Sequence, residues 1–462
     1  VPVDDLPIVL DRGSTEPLAV QVADALRNAA STGTLRVGDR LTSTRELAAR
    51  LGVSRTVTAA AYDQLLAEGW LAGRRGSGTF VTAAPPNLTP ACPTGPSRST
   101  GPSAPPATTV DLTAGRPCLD ALDRAAWRRA WRAAGDRMPA PSPEFAGHPD
   151  FSQAVVDHLL RHRGLAASPE HVLATSGTTS GVAEVAAQLP RGATVAMEEP
   201  GYQRAAVTLE AAGLRVVTVP VDENGMRVDR LPDRIAAVYC TPAHQFPLGS
   251  RLSADRRVAL VRRARDEGFL VLEDDYDGEL RYDVAPLPLL ASLCPDVVVH
   301  LGTTSKLLTP TLGTGWLVAP PEMHRRILRT RQRNCHRPSP AGQMVFAAFA
   351  EYGDLSRHLR RLRRELSERR AMVVDMLRSV DVEFQGDAAG AHLMVPLPGA
   401  EEEAAVVAGA AEAGVTVPGL LDYHHGRPSV FGISIGYASA GRADLDWGVE
   451  LVAKVAAEAL RS

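Results

Sequence analysis

Apolar residues recur at helical spacing near the start of the chain, then change to strand-like runs alternating with helical stretches. In "EPLAVQVADALRNAASTG", Leu18, Val22, Leu26 and Ala29 share one helical face. "STRELAARLG" opens on Ser43, has Glu46 three residues on and ends at Gly52, the spacing of a capping box closed by glycine. After a tight turn, "SRTVTAAAYDQLLAEG" takes Ser54 as N-cap and turns Val57, Ala61 and Leu65 inward. "WLAGRRGSGTFV" reads as two short strands around a Gly-rich turn. Three helices and a hairpin, two of the helices joined by a short glycine turn, predict a winged helix-turn-helix over residues 6–82.

Residues 83–109, "AAPPNLTPACPTGPSRSTGPSAPPATT", hold almost no large apolar side chains. Such a stretch cannot bury enough surface to fold, so it predicts an extended linker. Beyond it, over 110–462, strand candidates "HVLATSG", "TVAMEEP", "RVVTVPV", "IAAVYCTP", "FLVLEDDYD", "VVVHLGTTSK" and "GWLVAP" alternate with helical patterns. That is the α/β signature, a mainly parallel sheet with helices on both faces. From about Pro338 the pattern turns helical, and a small α+β unit closes the chain.

Composition changes this picture in two places. At 462 residues and 49.1 kDa the chain is too long for one core, which agrees with two domains and a linker. The net charge of -3 gives no overall basic field, and no stretch approaches the roughly 20 apolar residues of a membrane span. The start of the chain is acidic and unlike a secretory leader. Its five scattered cysteines form no CxxC pair, so reduced thiols, a cytoplasmic setting and no metal site are expected. Of 50 basic residues, only Lys306 and Lys454 are lysines. Arginine replaces lysine as a surface charge but not as an amine that deprotonates and attacks a carbonyl. Lys454 lies in a helical pattern and reads as a solvated surface residue. Lys306 follows a strand, on the side where α/β sheets place ligands.

Candidate DNA contacts follow from the first domain. Ser54, Arg55, Thr56 and Thr58 begin the third helix, the end that enters the major groove. Arg45 starts the helix before it. Arg74 and Arg75 precede Gly76 in a hairpin whose small residues let backbone approach a duplex. Nine arginines balance nine acidic residues here, so a merely solvated face is the alternative that bulk charge leaves open.

Candidate chemistry gathers in four stretches of the second domain. Lys306 is suited to a Schiff base with an aldehyde cofactor. In "VLEDDYD", alternation puts Asp274 and Tyr276 on one face and Asp275 on the other. Asp274 could pair with a pyridine nitrogen and Tyr276 with a phenolic oxygen; a metal site or a solvated turn is the plain alternative. "TSGTTSG" places Gly177, Thr178 and Thr179 at a helix N-terminus, an anion site or an ordinary capped turn. Thr303 and Ser305 add hydroxyls beside the lysine. Tyr202, after a Pro-Gly turn, offers a flat stacking partner or is a core or surface tyrosine.

The first 82 residues resemble the GntR-type winged-helix domain, on "RELAARLGVSR" and "GSGTFV", with Thr42 where proline is usual. The order of the later stretches matches the large domain of fold-type I aminotransferases. "EEPGY", "TPAHQFPLG", "EDDYDGELRY" and "LGTTSKLLTP" are similar to those of MocR-type regulators. The resemblance implies that Lys306 holds pyridoxal 5'-phosphate, that Asp274 pairs its ring nitrogen, that Tyr276 meets its phenolic oxygen and that Tyr202 stacks on it. It also implies promoter DNA and a small-molecule effector as partners. A homodimer is implied too, each DNA-binding domain packing on the other subunit's large domain. His244 and Gln245 lie near the matching cofactor loop without an assigned contact. Two arginines usual in such chains are absent: Gly313 stands at the phosphate position and Ser434 at the substrate-carboxylate position. Arg204, two residues after Tyr202, fits a place where an effector carboxylate is held. The expected function is a pyridoxal phosphate-dependent regulator that senses an amine, an amino-acid-like effector or the cofactor itself. A working aminotransferase carrying a DNA-binding domain is the alternative, against which Ser434 argues; a cofactor-free dimerisation domain is another.

Overall fold

A computed structural model describes residues 8–74, 78–82, 110–138, 140–282 and 288–461. It divides into two compact units, residues 1–103 and 104–462.

The first unit contains α1 (Leu18–Ser31), α2 (Thr44–Leu51), α3 (Arg55–Ala67), β1 (Leu71–Arg74) and β2 (Gly78–Val81). Ser43 caps α2 by accepting the Glu46 amide, and Gly52 closes that helix in the left-handed conformation. Val22, Leu26, Leu47, Ala61, Tyr62 and Leu65 form its core. β1 and β2 pair antiparallel, Leu71 opposite Val81 and Arg74 opposite Gly78.

The second unit begins with β3 (Val110–Asp111), α4 (Arg124–Gly135), α5 (Pro149–Arg163), β4 (Val172–Thr175), α6 (Thr178–Ala186) and β5 (Thr194–Glu199). There follow α7 (Gln203–Ala211), β6 (Arg215–Asp222), β7 (Gly225–Met226), β8 (Ala237–Cys240), α8 (Ala254–Glu267) and β9 (Leu270–Asp275). Next come α9 (Leu290–Leu293), β10 (Val298–Thr303), β11 (Gly315–Val318), α10 (Pro321–Asn334), α11 (Pro340–Glu351) and α12 (Asp354–Ser379). β12 (His392–Pro396), α13 (Ala400–Glu412), β13 (Val415–Thr416), β14 (Gly432–Gly436) and α14 (Arg442–Ala459) complete it.

Eight strands form one sheet in the order β4-β11-β10-β9-β8-β5-β6-β7. The run from β10 to β6 is parallel, and β11 is antiparallel to both neighbours. Both faces are buried, which is why these strands read as continuous apolar runs. Leu173, Met197, Tyr239, Leu272 and Leu301 pack on one face; Ala174, Ala196, Val238, Val271 and Val298 pack on the other. Gly302 faces Trp316 across β10 and β11, where a Cβ would lie 2.2 Å from the indole.

Beneath the end of β9 lies a buried ionic cluster. Arg163 grips Asp275 through two bonds of 2.6 and 2.7 Å and reaches the Gly278 carbonyl at 3.1 Å. His158 meets Glu279 at 2.7 Å. Among the described residues, no helix is long and apolar enough to cross a membrane.

Removing one member of a buried pair strands the other. Arg163→Met should therefore destabilise the second unit by about 3–5 kcal/mol in chemical denaturation. Adding Asp275→Leu should restore much of that loss.

Candidate functional site

The C-terminal ends of β4, β5, β8, β9 and β10 open onto a cavity of about 600 Å³ that Lys306 lines. A parallel sheet aims its strand ends at one edge, so residues distant in sequence converge there. Lys306, Asp274, Tyr276, Tyr202, Gly177, Thr178, Thr179, Thr303, Ser305 and Arg204, all expected from the sequence, line this one cavity.

Lys306 follows β10 and is half-buried. Its Nζ donates to the Gly115 carbonyl. Burial lowers the ammonium from its usual range; Asp277 and Asp274 oppose that shift, while Arg116 and Arg204 add to it. Burial thus works toward the neutral amine, the form that attacks carbonyls. Lys454 is a contrast: it is solvent-facing and pairs with Glu450 one helical turn away at 2.5 Å.

Asp274, one residue before the end of β9, lines the cavity. Its Oδ2 accepts the Tyr239 hydroxyl at 2.6 Å, while Oδ1 is buried without a hydrogen-bond partner. Burial raises this carboxyl to about 7 against the pull of the Tyr239 bond. An orphaned buried acceptor costs about 1–3 kcal/mol, so an N–H donor entering here gains a ready partner.

At the other end, Gly177 precedes α6, whose first residues are Thr178 and Thr179. The free amides of a helix start favour an anion. Thr303 Oγ1 donates to Ser305 Oγ at 3.0 Å and accepts the Ser305 amide at 3.1 Å. Tyr202 lies 3.3 Å from the Thr179 hydroxyl and edge-on to Phe246, with centroids 6.0 Å apart.

The first unit presents a second surface. Arg45, Ser54, Arg55 and Thr56 are exposed around the start of α3. Thr58 departs from expectation. It is fully buried, and its hydroxyl donates to the Thr44 carbonyl at 2.8 Å, so it joins α3 to α2 and cannot reach a base. Its spacing from Ala61, Tyr62 and Leu65 already puts it on the inward face. Arg74 ends β1; Arg75 and Gly76 lie outside the described residues. Arg40, not singled out in the sequence, sets its guanidinium against Gly78 at the hairpin.

Comparison with known proteins places both units. The profile described as bacterial regulatory proteins, gntR family, matches residues 18–81. The profile of aminotransferase class I and II matches residues 107–435. The HTH-type pyridoxine biosynthesis transcriptional regulator PdxR of Corynebacterium glutamicum is 35% identical, over 96% of this chain and 97% of that one. The probable rhizopine catabolism regulatory protein MocR of Rhizobium meliloti is 32% identical, over 93% and 92%. The chain belongs to the MocR-type transcription regulators.

This regulator carries a GntR-type DNA-binding domain and an aminotransferase-like domain of a pyridoxal phosphate-dependent family. Its fold is shared with an archaeal alanine:glyoxylate aminotransferase, with a TM-score of 0.71 and 24% identity over 76% of this chain and 91% of that one. Both arginine-deficient positions are explicit in the regulator. Gly313 is left-handed, with φ of 60°, a conformation that arginine rarely adopts. Ser434 is fully buried on β14, opposite Met394, with its hydroxyl unpartnered. Several lining residues escaped sequence reasoning: Tyr239, Phe246, Gly115 with Arg116, and Asp422 with Tyr423. The quoted stretch "TPAHQFPLG" contained Phe246, but nothing in its spacing marked it as the centre of an aromatic cluster. Phe246 contacts Tyr202, Tyr276, His392 and Tyr423 edge-on.

Three outcomes follow for the regulator. A carboxyl raised when folded contributes stability that is present below about pH 4 and lost as pH climbs through about 7. Ligand-free Asp274→Asn should thus gain stability relative to the unsubstituted protein across that window, read as the difference between thermal midpoints at each pH. In the first unit, Thr58→Val should cost about 1 kcal/mol in denaturation because the Thr44 bond is lost. Arg55→Ala should leave the melt unchanged and abolish specific operator binding in a mobility-shift assay.

Proposed function

We propose that the regulator binds pyridoxal 5'-phosphate at Lys306 and that this ligand is itself the signal. The observation that carries the reading is the polarity of the cavity. It has a half-buried amine whose charged form burial disfavours, an orphaned carboxylate oxygen on Asp274, and a helix N-terminus with threonine hydroxyls. These fit, in turn, an aldehyde, a protonated ring nitrogen and a phosphate. Lys306 would hold the aldehyde carbon, Asp274 Oδ1 the ring N–H, and Tyr276 the phenolic oxygen. Gly177, Thr178, Thr179, Thr303 and Ser305 would hold the phosphate, and Tyr202 would stack on the ring. When bound, pyridoxal phosphate supplies a carbonyl carbon open to attack by amines. The chain's part would be to desolvate Lys306, to hold Asp274 through Tyr239 while Arg163 clamps the adjacent Asp275, and to offer Tyr202 to the ring.

Two features favour sensing the cofactor over turning over an amino acid. Ser434 offers no cation for a substrate carboxylate, and its side chain is buried. The relative 35% identical to this chain is named for control of pyridoxine biosynthesis, the vitamin from which this cofactor derives. In this reading Gly313 leaves the phosphate held by backbone and hydroxyls alone, which weakens affinity and lets occupancy follow supply. Ligand occupancy shifts DNA affinity only by its differential binding to two arrangements of a homodimer. Arg204 at the cavity wall supports a second reading, an effector amine that also carries a carboxylate.

The loaded protein should be yellow, and borohydride followed by mass mapping should place a phosphopyridoxyl group on Lys306. Lys306→Ala should lose the colour and the ligand-dependent change in a promoter footprint while still binding DNA. A saturated, folded sample without that adduct would refute the proposal. A footprint that changes only when a carboxylated amine is added would favour the second reading.

A further inference from the structure

Against the wall of the cavity stands a buried cluster with no role in the account above: His244, Asp277 and His392, all nearly inaccessible to solvent. His244 Nδ1 lies 2.9 Å from Asp277 Oδ2 and 3.1 Å from the Tyr276 hydroxyl oxygen. A carboxylate only accepts, so Nδ1 carries its one proton toward Asp277 and shares it with the tyrosine oxygen. The Tyr276 hydroxyl donates to the His244 carbonyl at 2.9 Å. One histidine therefore meets the tyrosine as both donor and acceptor, through ring and backbone, while the far side of Tyr276 faces the cavity.

The three residues also offer ligand atoms within 4.8 Å of one another, as a metal site would. His244 Nε2, Asp277 Oδ1 and both ring nitrogens of His392 have no hydrogen-bond partner. The direct bond between His244 and Asp277 fits a second arrangement. It spends one carboxylate oxygen on the imidazole and fixes its tautomer, the arrangement of an orienting dyad.

We propose that Asp277 and His244 form a dyad that strengthens Tyr276 as a hydrogen-bond donor to the ligand held at Lys306. The inference rests on the pyridoxal phosphate reading of the cavity. His244 is a positioning residue. The Nδ1–H, shared between the Asp277 carboxylate and the tyrosine oxygen, polarises the O–H and makes it the better donor. When the cavity offers an acceptor, the hydroxyl proton turns from the His244 carbonyl toward it, and the contact with Nδ1 stays. The phenolic oxygen of pyridoxal phosphate is such an acceptor.

The surrounding charges support a tyrosine that donates. Burial first, then the negative charges of Asp277, Asp274 and Glu198, push the Tyr276 phenol well above its usual range, so it keeps its proton. Burial raises Asp277, and His244 draws it back. From β12, His392 packs tilted against His244 with centroids 4.7 Å apart; burial lowers it well below the usual imidazole range, with His244 and Lys306 adding to that.

The test is the pH titration of the visible absorption band of protein loaded with pyridoxal phosphate. A weaker donor leaves the phenolic oxygen more basic, so the neighbouring proton is held to higher pH. His244→Leu should raise the midpoint by about half to one pH unit. His244→Asn, whose amide N–H reaches the place of Nδ1, should restore it. In a Tyr276→Phe background, His244→Leu should add nothing further. Should His244→Leu fail to fold, Asp277→Asn supplies the same readout, with a smaller rise expected. Elemental analysis should find no bound transition metal. An unmoved midpoint in the foldable variant would overturn the dyad, as would an equal shift with Tyr276→Phe, or one equivalent of metal lost in His392→Ala. A native protein that takes up no pyridoxal phosphate would instead sink the parent reading, and the dyad's role with it.

Discussion

The geometry of the cavity depends on how the end of β9 is held. Asp274 and Asp275 are adjacent and point to opposite sides of the sheet. The second is clamped by both nitrogens of the Arg163 fork, at 2.6 and 2.7 Å, in a buried place where an unpaired charge is intolerable. That clamp removes the freedom of its neighbours. With Asp275 fixed on the rear face, Asp274 and Tyr276 have no choice but the front. The ionic cluster thus acts as an anchor, and the chemistry it permits lies one residue away.

The front of the sheet combines groups that would be unfavourable alone. The carboxylate has an orphaned oxygen, the amine is partly desolvated with a backbone carbonyl for its partner, and the helix start presents free amides. Together they describe a ligand by its complement: positive at one edge, electrophilic at another, anionic at the third. The aminotransferase-like scaffold supplies this complement whether or not chemistry follows. A position that would grip a substrate carboxylate is occupied here by a small buried hydroxyl. Ser434 carries no charge there, while Arg204 stays on the cavity wall as a cation.

Much of this was legible in the sequence because strand alternation and strand ends are local properties. Asp274, Tyr276, Gly177 and Lys306 could be placed from the period of their own segments. The capping of α2 by Ser43 was readable for the same reason. Thr58 was misplaced because a polar residue near a helix start invites a surface role, although its spacing from Ala61 and Tyr62 turned it inward. Tyr239, Phe246 and the pair Gly115 and Arg116 could not be placed. They reach the cavity through strand order and through the return of the chain from β3, which depend on partners hundreds of residues apart. The link between His244 and Tyr276 is hidden in the same way, since 32 residues separate them.

The scarcity of lysine has a practical consequence. A reagent that acylates amines meets two side-chain targets in the whole protein. One stands in water on α14; the other rests against a backbone carbonyl inside the cavity. Their relative labelling gives a measure of access to the interior, with the outer residue serving as the internal standard in the same molecule.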